Sequence, residues 1–449
     1  MSKLPRETRV PRERALLCGA RGPLCDAGTS VDLSEVRGLA AAAGAAVVGT
    51  EMLQRVHEPN PATLLGKGKV DEIRREVERV HPDLVVVDND LSPAQARNLE
   101  KAWGVRVVDR SELILDIFAK RAQTRQARLQ VELAQNEYLS PRLRRMWTHL
   151  ESERLEGAIG ARGPGETQLE TDKRLLKKRI QDLRDELREI EERKQREVRS
   201  RAEHFTIGLV GYTNAGKSTL LNRLTGSTEF VADMLFATLD TRTRQWKLPD
   251  ARTVLVSDTV GFLQRLPHHL VACFHATLEE ALHADLLLHV VDVSHPDAGA
   301  QMEAVEQVLA SLSHDARSAL IVFNKADQVR DPIAMQSLRS GRSADAVAVS
   351  ALTGEGIDAL ERAVMHRLDR RSALVDVFVP FADGRTESVL RQLCSPQQDE
   401  FDDERSERRL RVRLTDGQFG SLSRQIPANV RLVVVEPAEE RTSAFDERG

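Results

Sequence analysis

The residues Gly211, Tyr212, Thr213, Asn214, Ala215, Gly216, Lys217 and Ser218 form a run that could do chemistry. They read G-x-x-x-x-G-K-S, follow the apolar run Phe-Thr-Ile-Gly-Leu-Val at 205–210, and precede a helical Thr-Leu-Leu-Asn-Arg-Leu. A strand feeding a glycine loop that opens a helix turns successive backbone N–H groups toward an anion, and the helix N-terminus adds partial positive charge. In that setting Lys217 reaches the β- and γ-phosphates of a nucleotide and Ser218 ligates Mg²⁺. By composition the pattern arises by chance roughly once in a hundred chains of this length, so accident is a poor account of it.

Three further groups follow in order, each at the end of an apolar stretch. Asp258, Thr259, Val260 and Gly261 place a carboxylate where it can hold a water in the Mg²⁺ shell, and the Gly261 amide beside the γ-phosphate. Asn324, Lys325, Ala326 and Asp327 supply a carboxylate able to accept both the ring N–H and the exocyclic amine of guanine. Adenine would leave that carboxylate unpaired, so GTP rather than ATP is expected. Ser350, Ala351 and Leu352 follow, with the Ala351 amide directed to the guanine carbonyl oxygen. Singly these groups read as a turn, a loop and a helix cap; together and in order they do not.

Between Ser218 and Asp258 lie Phe236, Ala237, Thr238, Leu239 and Asp240, in a loop that must bring a hydroxyl to Mg²⁺ only when the γ-phosphate is present. Thr238 is preferred and Thr241 is the alternative, since spacing does not separate them. The expected catalytic set is Lys217, Thr238 and Gly261, and the metal ligands are Ser218 and Thr238. Where a Ras-type enzyme carries a water-orienting Gln, this chain has Phe262, so hydrolysis needs an outside group or a monovalent cation. Asn214 is a candidate K⁺ ligand.

The elements that position these groups alternate strand and helix. Region 1–110 reads as a parallel α/β domain, with strands at Ala15–Cys18, Ala46–Gly49, Leu84–Val87 and Val105–Val108, and helices at 32–43, 69–80 and 92–102. Region 111–202 reads as a helical hairpin, 111–139 and 167–201, with Leu176, Ile180, Leu183, Leu187 and Ile190 as a coiled-coil seam and a glycine-rich tip at 157–165. Region 203–371 is a Ras-like P-loop domain, and 372–449 a small α+β domain whose acidic Ser395–Arg409 reads as an exposed loop. Residues 110–150 hold eight Lys/Arg against four Asp/Glu, concentrating basic charge on one element. Arg142, Arg144, Arg145 and Arg162 are the candidate RNA-backbone contacts, weighed against an ordinary solvated helix face. The cluster Gly66-Lys-Gly-Lys69 reads as an ordinary turn before a second phosphate site.

With 449 residues, the chain has material for about three domains. Its 41% hydrophobic and 30% charged residues fit neither a disordered chain nor one buried in lipid. No apolar run is long enough to span a bilayer, and the charged N-terminus lacks the apolar core of a secretion signal, so a cytoplasmic location is expected, with peripheral membrane association left open. The four cysteines, Cys18, Cys25, Cys273 and Cys394, draw neither a disulfide framework nor a zinc ribbon. The net charge of −4 argues against a whole-surface nucleic-acid footprint; no DNA partner is expected, and nothing signals a homodimer.

The order G-Y-T-N-A-G-K-S, L-F-A-T-L-D, D-T-V-G-F, N-K-A-D, S-A-L resembles the Obg/HflX branch of P-loop GTPases. Upstream, Gly66–Lys69, Leu91–Leu99, Asp109–Phe118, Leu129–Gln135, Pro141–Leu143 and Arg162–Glu170 resemble the HflX family itself. The resemblance is dense over 60–370. It implies a GTPase that binds the large ribosomal subunit through rRNA and splits stalled or idle ribosomes under stress, with the hairpin tip near the peptidyl-transferase region and Thr238 as the switch ligand of Mg²⁺. An assembly factor for the large subunit, or an rRNA-binding module without catalysis, is the alternative. The chain departs from the family at Ala158 and Ala161 in the glycine loop, and at Thr241, where the family usually has Pro.

Overall fold

The computed structural model describes residues 12–22, 32–143, 164–200, 205–227, 235–236, 242–250, 252–259, 261–263, 284–311, 319–329, 338, 346–393, 396–402, 405–425, 427 and 429–438. The chain divides into two compact units, one built on 1–189 with 233–239 and 264–275, the other on the remainder.

In the first unit, β1 (Arg14–Arg21), β2 (Ala46–Val47), β3 (Met52–Arg55), β4 (Leu84–Val87) and β5 (Arg106–Asp109) form a parallel sheet in the order β2-β1-β4-β5, with β3 also on β1. The strand expected at Ala46–Gly49 stops at Val47, Gly49 turns at φ 73°, and a further strand that was not expected, β3, follows; β2 and β3 pair with successive parts of β1. The strands are apolar on both faces because helices cover them: Leu16, Cys18, Val85 and Val87 are buried with Ile73, Leu99 and Trp103. These three come from α2 (Lys67–Val80) and α3 (Pro93–Trp103); α1 (Ser34–Ala43) precedes them. Ser92 caps α3 as expected, accepting from the Gln95 amide at 3.2 Å while Gln95 Oε1 accepts from the Ser92 amide at 2.9 Å. Gly66 caps α2, so the Gly/Lys cluster opens a helix where a turn was expected.

The expected helix 111–139 is instead α4 (Arg110–Arg121) and α5 (Arg125–Leu139). Thr124 breaks it by capping α5, its Oγ1 accepting from the Ala127 amide at 3.1 Å. The long α6 (Pro164–Ser200) follows, with Leu183 of the seam fully buried. Arg179 and Arg184 of α6 pair with Glu132 and Glu137 of α5, each at 2.7 Å.

In the second unit, β6 (Thr206–Gly211), β7 (Arg242–Lys247), β8 (Thr253–Asp258), β9 (Leu286–Asp292), β10 (Leu320–Asn324) and β11 (Ala346–Ala348) form a sheet ordered β11-β10-β9-β6-β8-β7. It is parallel except for β7. Helices α7 (Lys217–Thr225), α8 (Ala298–Ser311) and α9 (Ile357–Arg370) accompany it. Ile207, Leu220, Val256, Leu288, Val322 and Leu360 are buried together at its centre.

After α9 the chain enters β12 (Ser372–Pro380), α10 (Gly384–Leu393), β13 (Gln398–Asp402), β14 (Glu407–Thr415), α11 (Asp416–Gln425) and β15 (Arg431–Glu436). This βαββαβ order builds an antiparallel sheet, β13-β14-β12-β15. The acidic segment expected to be a loop contains the edge strand β13. Its carboxylates are spent on arginines of β14: Asp399 on Arg408 at 2.6 Å and Glu400 on Arg409 at 3.1 Å. Cross-strand ion pairs thus stabilise a strand that has little apolar pattern of its own.

Candidate nucleotide site

The site lies at the carboxyl ends of β6, β8, β10 and β11, where a parallel sheet offers its strand ends to a ligand. Gly211 ends β6, and the loop to α7 is stitched to the segment after β8. The Thr213 amide donates to Phe262 O at 2.6 Å, and the Phe262 amide donates to Gly211 O at 3.1 Å. Gly261 permits this close approach, since a Cβ there would lie 2.6 Å from Thr213 Cα. Gly216 adopts φ 90°, and a Cβ on it would lie 2.2 Å from Asn324 Nδ2. Tyr212, Thr213 and Ala215 are buried, whereas Asn214 is exposed at φ 62°.

Lys217 opens α7 and is buried, its Nζ donating to Gly211 O at 3.0 Å and Tyr212 O at 2.8 Å. Burial pushes its ammonium down to about 8, partly offset by Asp258. Ser218 Oγ donates to Asp258 Oδ2 at 2.6 Å, and the buried Thr259 hydroxyl donates to Leu209 O at 2.7 Å. The hydroxyl and carboxylate so joined are hard oxygen donors of the kind Mg²⁺ takes alongside phosphates and waters. Among the described residues no cluster of three or more His, Cys, Asp or Glu could hold a metal by itself.

On the base side, Asn324 is a junction. Its Nδ2 donates to Ala215 O at 2.8 Å and its Oδ1 accepts from the Ala351 amide at 3.0 Å, which ties phosphate loop, β10 and the loop after β11 together. The Ala351 amide, expected to face a base carbonyl, is engaged by Asn324 here. Ser350 is fully buried and its Oγ accepts from the Thr353 amide at 3.1 Å; Leu352 is exposed. Lys325 takes a left-handed φ of 61° and its Nζ pairs with Asp292 at 2.6 Å. Ala326 and Asp327 lie in a 3-10 turn, Asp327 exposed.

Asp292 was not among the sequence candidates; its signal is a carboxylate closing the apolar strand His-Val-Val-Asp at 289–292. Phe236 lies in the first unit, its ring buried edge-on against Phe118 of α4 with centroids 4.7 Å apart. Ala237, Thr238, Leu239, Asp240, Thr241 and Val260 lie outside the described residues, as do Arg144, Arg145, Arg162 and most of the glycine-rich tip.

Arg142 turns inward. It pairs with Asp109 at 3.1 Å, donates to Leu91 O at 2.7 Å and lies over the Tyr138 ring at 3.6 Å. Arg110, counted in the basic excess, is buried between Asp88 and Glu35. The net positive charge of 110–150 is thus not one continuous surface among the described residues.

A six-stranded sheet whose glycine loop seats a buried lysine at a helix N-terminus, with Asp258 on Ser218 and Asn324 lacing the base-side loop, defines a P-loop nucleotide-binding domain of the Ras-like kind. Families described as "GTP-binding GTPase N-terminal", "GTP-binding GTPase Middle Region" and "50S ribosome-binding GTPase" match residues 30–119, 121–201 and 206–325. The GTPase HflX of Caldanaerobacter subterraneus subsp. tengcongensis is 42% identical over 394 residues, 87% of this chain and 89% of that protein. That of Escherichia coli K12 is 41% identical over 409 residues, 90% and 94%. A GTP-binding protein of Sulfolobus solfataricus solved with GDP matches at 22% identity and TM-score 0.41 over 79% of this chain and 98% of that one. The chain belongs to the HflX family of GTPases, and its reaction is hydrolysis of GTP. No helix among the described residues is long and apolar enough to cross a membrane.

Proposed function

We propose that this protein is a ribosome-dependent GTPase switch that binds the large subunit when charged with GTP and splits stalled or idle ribosomes. The observation that carries this reading is Phe262. It occupies the place of a water-orienting side chain, yet it is 2% exposed and both its backbone groups are tied to the phosphate loop. A buried phenyl ring cannot orient an attacking water, so efficient turnover requires a group from outside. The family description of 206–325 as a 50S ribosome-binding GTPase supports the large subunit as the source.

In this reading Lys217 leaves the Gly211 and Tyr212 carbonyls for the β- and γ-phosphates, and the loop amides cradle them. Ser218 and Thr238 would hold Mg²⁺, with Asp258 fixing the Ser218 hydroxyl, and the ion would supply charge neutralisation at the phosphates. Asp327 selects guanine, and the Gly261 amide senses the γ-phosphate. Asn214 is a K⁺ ligand, which equal turnover in K⁺ and Na⁺ buffers would contradict. The segments act as an N-terminal α/β domain to 110, a helical hairpin to 202, the nucleotide-binding domain to 371 and a terminal α+β domain. Its setting is the cytoplasm and its working form a monomer.

Sucrose-gradient profiles test the role. With GTP, added protein is expected to convert intact ribosomes to subunits, and cells lacking it to accumulate intact stalled ribosomes. Accumulation of precursor particles in those cells would instead assign it to large-subunit assembly.

A further inference from the structure

Helix α7 carries an arginine that the chemistry above leaves unused. From near the end of the helix that begins at Lys217, Arg223 reaches to the loop after β11, donating through Nε to Ala351 O at 3.1 Å and through Nη2 to Leu352 O. Its guanidinium also lies along Gly354, where an added Cβ would be 3.5 Å from Arg223 Cζ.

Ser350 and Ala351 are buried, whereas Leu352 is 69% exposed and its position is set by its backbone rather than by packing of its side chain. Within the loop, the Ser350 amide donates to Glu355 O at 2.9 Å and the Gly354 amide to Ser350 O at 2.8 Å. Ala351 itself is gripped at both ends of its backbone. Its N–H is on Asn324 Oδ1 at 3.0 Å and its C=O is on Arg223. A planar guanidinium addressing two successive carbonyls fixes their peptide planes in a way that a single point charge does not.

We propose that Arg223 is a positioning residue for guanine recognition. It holds the Ala351 and Leu352 carbonyls, and through them the backbone of Ala351 whose N–H is assigned to the base carbonyl oxygen, and it ties that loop to the helix bearing Lys217 and Ser218. The proposal rests on the assignment of 350–352 as the base-reading loop made above.

The test uses the full chain and four probes: GDP, inosine diphosphate, xanthosine diphosphate and pyrophosphate. Guanine and hypoxanthine share the carbonyl but not the exocyclic amine. Arg223→Ala is therefore expected to weaken GDP and inosine diphosphate equally, by about tenfold through faster release, while pyrophosphate changes by less than about twofold. Arg223→Lys should recover part of the loss. GDP affinity unchanged in Arg223→Ala would overturn the proposal. So would equal weakening of GDP and pyrophosphate, which would mean general damage to α7. Asp327→Asn serves as the control on the base site and should lower GDP affinity while raising that for xanthosine diphosphate. If it changes neither, the base-site assignment fails and the Arg223 proposal with it; if it behaves as expected while Arg223→Ala is silent, only the Arg223 proposal falls.

Discussion

The molecule has two parallel sheets, and their carboxyl edges are built in opposite ways. At the edge of the first, Arg21 pairs with Asp88, Arg110 bridges Asp88 at 2.6 Å and Glu35 at 2.5 Å, and the Asn89 side chain closes on the backbone of Ala20. Burial alone would depress the Arg110 guanidinium, but Glu35 and Asp88 raise it. At the edge of the second, Lys217 is buried against two backbone carbonyls and lowered to about 8. Parallel topology creates a crevice in both cases. One crevice is filled by its own ion pairs, and the other keeps a lysine whose charge a phosphate would complete. A shared topology does not make both edges ligand sites.

The largest effect that could break this comparison is expected at Lys217. Lys217→Ala should lower kcat/KM for GTP by on the order of a hundredfold or more, measured by phosphate release, while the melting temperature holds or rises because a buried charge is removed. Arg110→Ala should do the reverse. Taking the buried guanidinium from Asp88, which keeps Arg21, and from Glu35 should cost about 3 kcal/mol by chemical denaturation, with GTP affinity unchanged. Were GTP affinity to fall with it, the first edge would be part of nucleotide binding after all.

The pH dependence sharpens the contrast. Because the folded value of Lys217 lies near 8, below its ordinary 10.5, the nucleotide-free fold gains stability as pH rises from about 8 toward 10.5. Bound phosphates raise the lysine again, so binding takes up a proton in that window. GDP affinity should be flat from pH 7 to 8 and fall by up to about tenfold over the next unit in a titration series. A flat profile to pH 9 would mean that burial does not perturb this lysine. The smallest effect is expected at the exposed Arg179, whose partner Glu132 lies on α5. Arg179→Ala should leave melting temperature and turnover unmoved, since exposed pairs are weakly coupled.

The phosphate side of the site was legible because its residues are consecutive and their context is local: strand, glycine loop, helix. What sequence did not disclose were partners far apart in the chain. Asn324 was read for its place beside Asp327, but its links to Ala215 and Ala351 span 109 and 27 residues. Arg110 and Arg142 looked like part of a basic surface because composition counts charges without their partners, Asp88 and Asp109. The strand β13 was hidden for the same reason, since its cross-strand arginines come from β14. The α4–α5 break was local yet lacked Pro or Gly, and Thr124 alone is a weak stop signal.

With Phe262 buried beside the phosphate loop, hydrolysis is expected to depend on the large subunit. The direct measurement is GTP turnover in K⁺ buffer with and without purified large ribosomal subunits, with Lys217→Ala as the blank. Slow turnover alone and strong stimulation by the subunits is the predicted result. Turnover that is unchanged by the subunits, with normal GTP binding, would contradict it.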